Sequence, residues 1–394
     1  MNWFGFGFNA FGQIRATKAI SRGESCTVED VKVITPTSVD SRVDKAEEIT
    51  SFESASIASK CSVRSSWSRR AALHLQGDSH VWLSGFGAQL RTGCCGSYMK
   101  ESRGCKDALI GERYLTLSFP DRIECWDLEQ NEKTLVWSME SKTSPTESGS
   151  SLTLPLVPGG YIAAKPPFYH PLSPQLKAVS LALGAEHAIL LSATGVVYSW
   201  GLGSHGQLGH ESLTSEEEPR AVEALWGMPM SSVATGGWHS ACVSAGGDLY
   251  IWGWNESGQL GLPSQALRKL QQKRSQEPAT VCPDARSSTC QEEEKPTEVF
   301  ISIQAFPALL DITESCEISK VSCGSRHTAA VTTTGDLYTW GWGEYGQLGH
   351  KTLMSSDEPR PVDFFRDHGL HVVDVVCGEW TTFSAVAKDE LIHS

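Results

Sequence analysis

The pattern closest to known chemistry is Gly201-x-Gly203-x-x-Gly206, spelled again at Gly341, Gly343 and Gly346. After a strand, that spacing can seat a dinucleotide pyrophosphate on a helix N-terminus. In this chain the last glycine leads into Gln-Leu-Gly-His and then a polar, proline-bearing stretch without helical apolar period, so no such helix is predicted and the glycines read as turns that need positive φ. His187, His239 and His327 have the side chain suited to general-base or ligand work, yet each stands at the same place in a repeated frame, whereas a catalytic group is needed once. Their expected role is a ring hydrogen bond to a neighbouring turn. Cys94-Cys95, Cys105 and Cys125 contain no Cys-x-x-Cys pair, and Cys282 and Cys290 are equally unpaired, which argues against zinc. No Ser-His-Asp order, His-Glu-x-x-His or pair of carboxylates stands outside the repeat. No enzyme, cofactor or metal is therefore expected.

The elements that must position these residues come from the repeat itself. Residues 184–209, 236–261 and 324–349 align without a gap. They share Gly184/Gly236/Gly324, the three histidines, Tyr198/Tyr250/Tyr338, Trp200/Trp252/Trp340, and a Gly-Gln-Leu-Gly beginning at Gly206, Gly258 and Gly346. The offsets, 52 residues from His187 to His239 and 88 from His239 to His327, fall in the period range of propeller blades. In each copy a short apolar run, a turn and a second run ending in Tyr-x-Trp-Gly form a hairpin signature. Both faces of the second run are apolar, as expected of a sheet covered on both sides. At about 25 cal/mol per Å² and about 150–250 Å² per ring, each buried Trp contributes on the order of 4–6 kcal/mol gross. Two copies extend further, at 210–222 and 350–362, where Glu218 and Glu358 precede Pro-Arg and are expected to brace Arg220 and Arg360.

These residues carry a family resemblance. Cys323-Gly-x-x-His327-x-x-x-Val331, Leu337-Tyr-x-Trp-Gly-x-Gly-x-x-Gly-Gln-Leu-Gly349 and their copies resemble the regulator of chromosome condensation repeat, a β-propeller unit. The resemblance implies an all-β propeller of six to seven blades, of which Trp-Gly-like ends at Trp3, Ser84-Gly85, Trp137, Trp200, Trp252 and Trp340 count six. The match is good over 181–386 and degenerate over 63–180. The chain stops half-way through a unit: Cys377-Gly378-Glu379-Trp380-Thr381 opens one and no Tyr-x-Trp-Gly comes after it. Residues 1–13 are expected to supply the missing strand and close the C-terminal blade, which removes both open edges. A Ser/Thr-rich stretch at 28–62 reads as a looped insertion, and the polar, charge-clustered 263–299 as a mobile one. The whole chain is expected to be one domain and a monomer.

Charge narrows the partners. Net charge is −13 and no Lys/Arg-rich tail is present, so direct DNA binding by counterion release is disfavoured, while basic proteins such as histones would be attracted. No apolar stretch of 18 residues exists and MNWFGFGFNAFG lacks a signal-peptide pattern, so an intracellular chain without membrane span and with reduced thiols among its 12 cysteines is expected. The resemblance further implies a non-catalytic partner of a Jumonji-type 2-oxoglutarate dioxygenase, in histone methylation, chromosome segregation and microtubule stability, nuclear and chromosomal with a cytoskeletal share. Guanine-nucleotide exchange on a small nuclear GTPase is the alternative. Light sensing would need repeated Gly-Trp-Arg-His-Thr, and only the fragments Gly237-Trp238-His239 and Ser325-Arg326-His327-Thr328 occur. Candidate partner contacts are the variable positions inside the fixed frames: Trp238, Asn255, Glu256, Arg326, Glu344 and Tyr345.

Overall fold

In the computed structural model, residues 2–15, 31–39, 61–75, 77–87, 96–129, 133–141, 152–275, 299–312 and 316–387 are described. Their strands form seven sheets, all antiparallel, which we number as blades in chain order. Blade 1 runs over 61–99, blade 2 over 107–140, blade 3 over 156–171, blade 4 over 178–221, blade 5 over 230–309 and blade 6 over 318–361. Blade 7 joins the termini: Val372–Cys377 and Thr381–Val386 from one end, Asn2–Phe8 and Lys32–Ser38 from the other.

The count is therefore seven rather than six. The one passed over is blade 3, a three-stranded sheet of Leu156–Val157, Gly160–Ile162 and Tyr169–Pro171 that has no Trp-Gly to mark it. Trp137, read as the end of a hairpin, lies on the outer strand Thr134–Glu140 of blade 2.

Closure by the N-terminal strand is present: Asn2–Phe8 pairs with Thr381–Val386, from Asn2 opposite Val386 to Gly7 opposite Thr381. The registers of blades 4 to 6 show what this does, since His187, His239 and His327 face Gly201, Gly253 and Gly341. Phe6-Gly7 thus takes the place of Trp340-Gly341, three residues beyond the Trp3 that marked it in the sequence. Trp3 instead reaches blade 1, its indole donating to the Cys61 carbonyl at 3.1 Å.

Two inserted segments need correction. Lys32–Ser38, placed by sequence in a looped insertion, is the outer strand of blade 7. Its β-branched residues Val33, Ile34, Thr35 and Thr37 suit a pleated surface, but the Ser/Thr-rich surroundings hid them. In the 263–299 insertion, Gln265–Ser275 is helical, as Ala, Leu, Arg, Lys and Gln favour, whereas 276–298 lie outside the described residues. Among the described residues no helix is long and apolar enough to cross a membrane.

Repeated geometry within the blades sets the glycines. Gly253 has φ +111°, and a Cβ there would lie 2.6 Å from the Trp238 carbonyl oxygen, so no larger residue fits opposite His239. Between blades the tryptophans act as keys. Trp252 and Trp340 are fully buried and each donates from Nε1 to the carbonyl of the preceding blade's Gly-Gln-Leu-Gly, Gln207 at 2.9 Å and Gln259 at 3.0 Å. Trp340→Ala leaves an indole-sized hole and an unpaired Gln259 carbonyl. A loss of about 3–5 kcal/mol is expected, read as a shifted urea midpoint with unchanged slope.

Candidate partner-binding face

The repeated polar residues are consumed by the scaffold. His187 Nε2 meets Ser240 Oγ, His239 Nε2 meets Thr328 Oγ1 and His327 Nε2 meets Thr382 Oγ1, each at 2.9 Å and each on the following blade. Those hydroxyls donate their single proton to the carbonyls of Gln207, Gln259 and Gln347, at 2.7 Å each. They must therefore accept from the imidazole, which fixes the neutral Nε2–H tautomer. The partner is thus a hydroxyl on a strand of the next blade rather than a turn. Burial holds the imidazoles down, His187 at about 4 and His239 and His327 at about 3. Blade 1 departs from the pattern: Arg69 stands where the histidine would be and donates to the carbonyls of Glu112 at 2.7 Å and Phe86 at 2.6 Å.

No catalytic geometry emerges from these groups. Among the described residues no cluster of three or more His, Cys, Asp or Glu is placed to hold a metal ion. Cys105 and Cys125 are buried thiols pushed up to about 12 and about 11 by desolvation, while Cys94, Cys95, Cys282 and Cys290 lie outside the described residues. Gly206, Gly258 and Gly346 sit in turns with φ +72°, +75° and +85° and open no helix. Arg220 pairs with Glu216 at 2.7 Å rather than with Glu218, although both glutamates share its face of the outer strand.

What remains available is one face of the ring. Three loop positions recur there: the residues before each strand-opening histidine, the residue after each Trp-Gly, and the residue before each Gly-Gln-Leu-Gly. At most of them the structure places aromatic rings in contact. His205, Trp238 and Trp254 meet at 5.6–5.8 Å between centroids. Trp342, Tyr345 and Trp380 meet at 4.7–6.0 Å with steep interplanar angles. Tyr345 touches Phe8 at 5.0 Å, Phe8 and Phe11 meet Trp67, and Phe11 meets Phe86 at 5.6 Å. The arc spans five of the seven blades, from blade 4 through blade 7 to blade 1. Trp67 and Phe86 are 41% and 54% exposed, and the other rings are half-buried.

Charge punctuates the arc. The Arg326 guanidinium lies 4.6 Å from the centroid of Trp254, Arg69 lies 5.3 Å from Phe86 and Lys32 Nζ 5.6 Å from Tyr345. Glu186 accepts from the Trp238 indole at 3.3 Å, and Glu256 and Glu379 are exposed beside the rings. Desolvation first, and the nearby Glu112 carboxylate second, hold Glu379 above the usual carboxylate range, with Lys165 pulling it back.

Of the residues singled out by sequence, Trp238, Arg326 and Tyr345 thus join one arc, and Glu256 and Glu344 border it. Asn255 does not: it is fully buried, donating to the carbonyls of Leu262 and Ile301 and accepting from the Leu260 amide, so it braces its turn. Sequence reasoning missed Trp254, Trp342, Trp380, Phe8, Phe11, Trp67, Phe86 and His205. The missed signal was a large aromatic directly after Trp-Gly, as in Trp252-Gly253-Trp254 and Trp340-Gly341-Trp342.

Comparison with known proteins gives concordant results. The family described as the regulator of chromosome condensation (RCC1) repeat matches at 194–243, 246–331 and 334–385, and a second description of the same repeat matches at 178–207, 230–259 and 318–347. The chain is 41% identical over 397 residues to the human RCC1 domain-containing protein 1, covering 97% of this chain and 96% of the relative. With the mouse protein of that name it shares 39% over 402 residues, with the same coverage. Among solved structures, Prp20p from Saccharomyces cerevisiae, described with its binding properties to Gsp1p and histones, superposes with a TM-score of 0.67 at 17% identity. That likeness, over 99% of this chain and 92% of Prp20p, bears on the fold.

Proposed function

Because the chain belongs to the regulator of chromosome condensation (RCC1) repeat family, we propose that it is a non-catalytic protein-interaction platform that works through the aromatic arc of its loop face. The observation that carries this reading is the division of labour. Repeated polar side chains hold blade to blade, while the variable loop positions converge on one exposed aromatic surface. A rigid ring presents such a surface at little ordering cost, and half-exposed Trp and Tyr are the side chains most often dominant in binding energy.

The partner implied by resemblance is a Jumonji-type 2-oxoglutarate dioxygenase in the nucleus, with effects on histone methylation at chromatin, on chromosome segregation and on microtubules. The iron and 2-oxoglutarate would belong to that partner. A pull-down from nuclear extract with the full chain and with Tyr345→Ala/Trp380→Ala tests the proposal. The dioxygenase is expected with the wild type and at least about tenfold depleted with the variant, as loss of two interface aromatics implies. Equal recovery by both chains would remove the arc from the interface. The competing reading, exchange on a small nuclear GTPase, rests on the fold shared with the protein described with Gsp1p. Accelerated nucleotide release from such a GTPase by the purified chain would favour it.

A further inference from the structure

The recurring loop positions allow one blade junction to be compared with the next, and the differences between junctions identify what the face is built to hold. At the junction of blades 6 and 7, Trp342 and Tyr345 from blade 6 meet Trp380, the residue before the histidine-equivalent Thr381 of blade 7. At the junction of blades 5 and 6 the matching residues are Trp254, Ser257 and Arg326, and the guanidinium of Arg326 lies over Trp254 at 4.6 Å. The same structural slot therefore accepts either an aromatic ring or a guanidinium. Arg69 over Phe86 at 5.3 Å repeats the chemistry in blade 1.

The electrostatic setting selects the same ligand. Glu186, Glu256 and Glu379 border the rings and are exposed, and so is Glu112, which accepts from the amide and the hydroxyl of Ser68, next to Trp67, at 3.2 Å and 2.5 Å. Carboxylates beside indole faces favour a planar cation, which stacks and donates at once. The chain as a whole carries net charge −13, which attracts a basic partner over distance.

We propose that the arc between Trp342 and Trp67 binds an arginine-bearing basic segment of a partner protein, with guanidinium groups stacked on the indoles of Trp342 and Trp380 and paired to Glu379 and Glu112. The proposal rests on the platform reading and names the chemistry of its partner. Arginine is specified over lysine because a planar guanidinium stacks on a ring while donating in plane, and an ammonium does not.

The test uses the full chain and a synthetic peptide of alternating arginine and glycine, read by intrinsic tryptophan fluorescence, with the lysine-glycine counterpart alongside. Saturable quenching by the arginine peptide is expected, with the lysine peptide weaker by roughly fivefold. Trp380→Leu and Glu379→Gln should each weaken the arginine peptide by roughly fivefold while the chain still unfolds in one cooperative transition, with the melting temperature of Glu379→Gln unchanged. Equal affinity for both peptides, indifference to both substitutions, or no saturable binding would overturn it. If the pull-down partner is retained by the wild type and lost with the Tyr345→Ala/Trp380→Ala face while the arginine peptide shows no preference, the platform stands and this inference alone falls.

Discussion

Deleting residues 1–13 is expected to abolish the cooperative melt of the whole ring rather than trim a loose end. Asn2–Phe8 is an interior strand of blade 7, paired with Thr381–Val386 on one side and Lys32–Ser38 on the other. Its loss strands the outer strand and leaves two strands where four stood. Phe6 is fully buried and Trp3 is 5% exposed, so at about 4–6 kcal/mol gross per ring the deletion removes an amount comparable to the total stability of a domain, roughly 5–15 kcal/mol. The hydrogen bond from Trp3 to Cys61, which ties blade 7 to blade 1, goes as well. Either no folded transition or a melting temperature lower by well over about 10 °C is expected by scanning calorimetry. An unchanged transition would mean that the ring does not depend on the N-terminal strand.

Acid is expected to be the second strong lever. His187, His239 and His327 are buried as neutral rings, with Nδ1 lacking a partner in each. A proton there would place a charge without an acceptor in a dry site, which is why the folded rings titrate at about 4, 3 and 3 against about 6.5 in the unfolded chain. The folded pKa lies below the unfolded one, so the contribution is complete above about pH 6.5 and is lost as pH falls through it, because only the unfolded chain takes up the protons. Each ring adds about 1.4 kcal/mol per pH unit, so together roughly 4 kcal/mol per unit is lost between about pH 6 and pH 4. Urea midpoints measured from pH 7.5 down to pH 4.5 should fall steeply. In His239→Gln, already less stable at neutral pH, the slope should be smaller by about a third. A flat profile in the wild type would contradict neutral burial of the three rings.

Legibility in the sequence followed the strength of local constraint. Blades 4 to 6 were readable because a strand facing a positive-φ glycine, a buried indole and a Gly-Gln-Leu-Gly turn each admit few residue types. Closure was readable for the same reason, since Phe4-Gly5-Phe6-Gly7 keeps the alternation and Gly12-Gln13 keeps the turn. Blade 3 was not, because Leu156–Val157 and Gly160–Ile162 are too short to show a period and carry no Trp. On the face, variability inside a fixed frame pointed to Trp238, Arg326 and Tyr345. Trp254 and Trp342 escaped because an aromatic two residues after a repeated Trp reads as core until strand pairing shows where the strand ends. Asn255 shows the opposite error: a polar residue at a variable position was spent on three backbone hydrogen bonds.

The most direct test of the platform account is hydrogen–deuterium exchange on the full chain with and without the partner it captures. Slowed exchange is expected at the loops around 202–206, 237–238, 254–257, 325–326, 342–345 and 379–380, which carry the arc. Protection confined to the opposite loops, around 193–196, 245–248 and 333–336, would contradict it and move the binding surface to the other face of the ring.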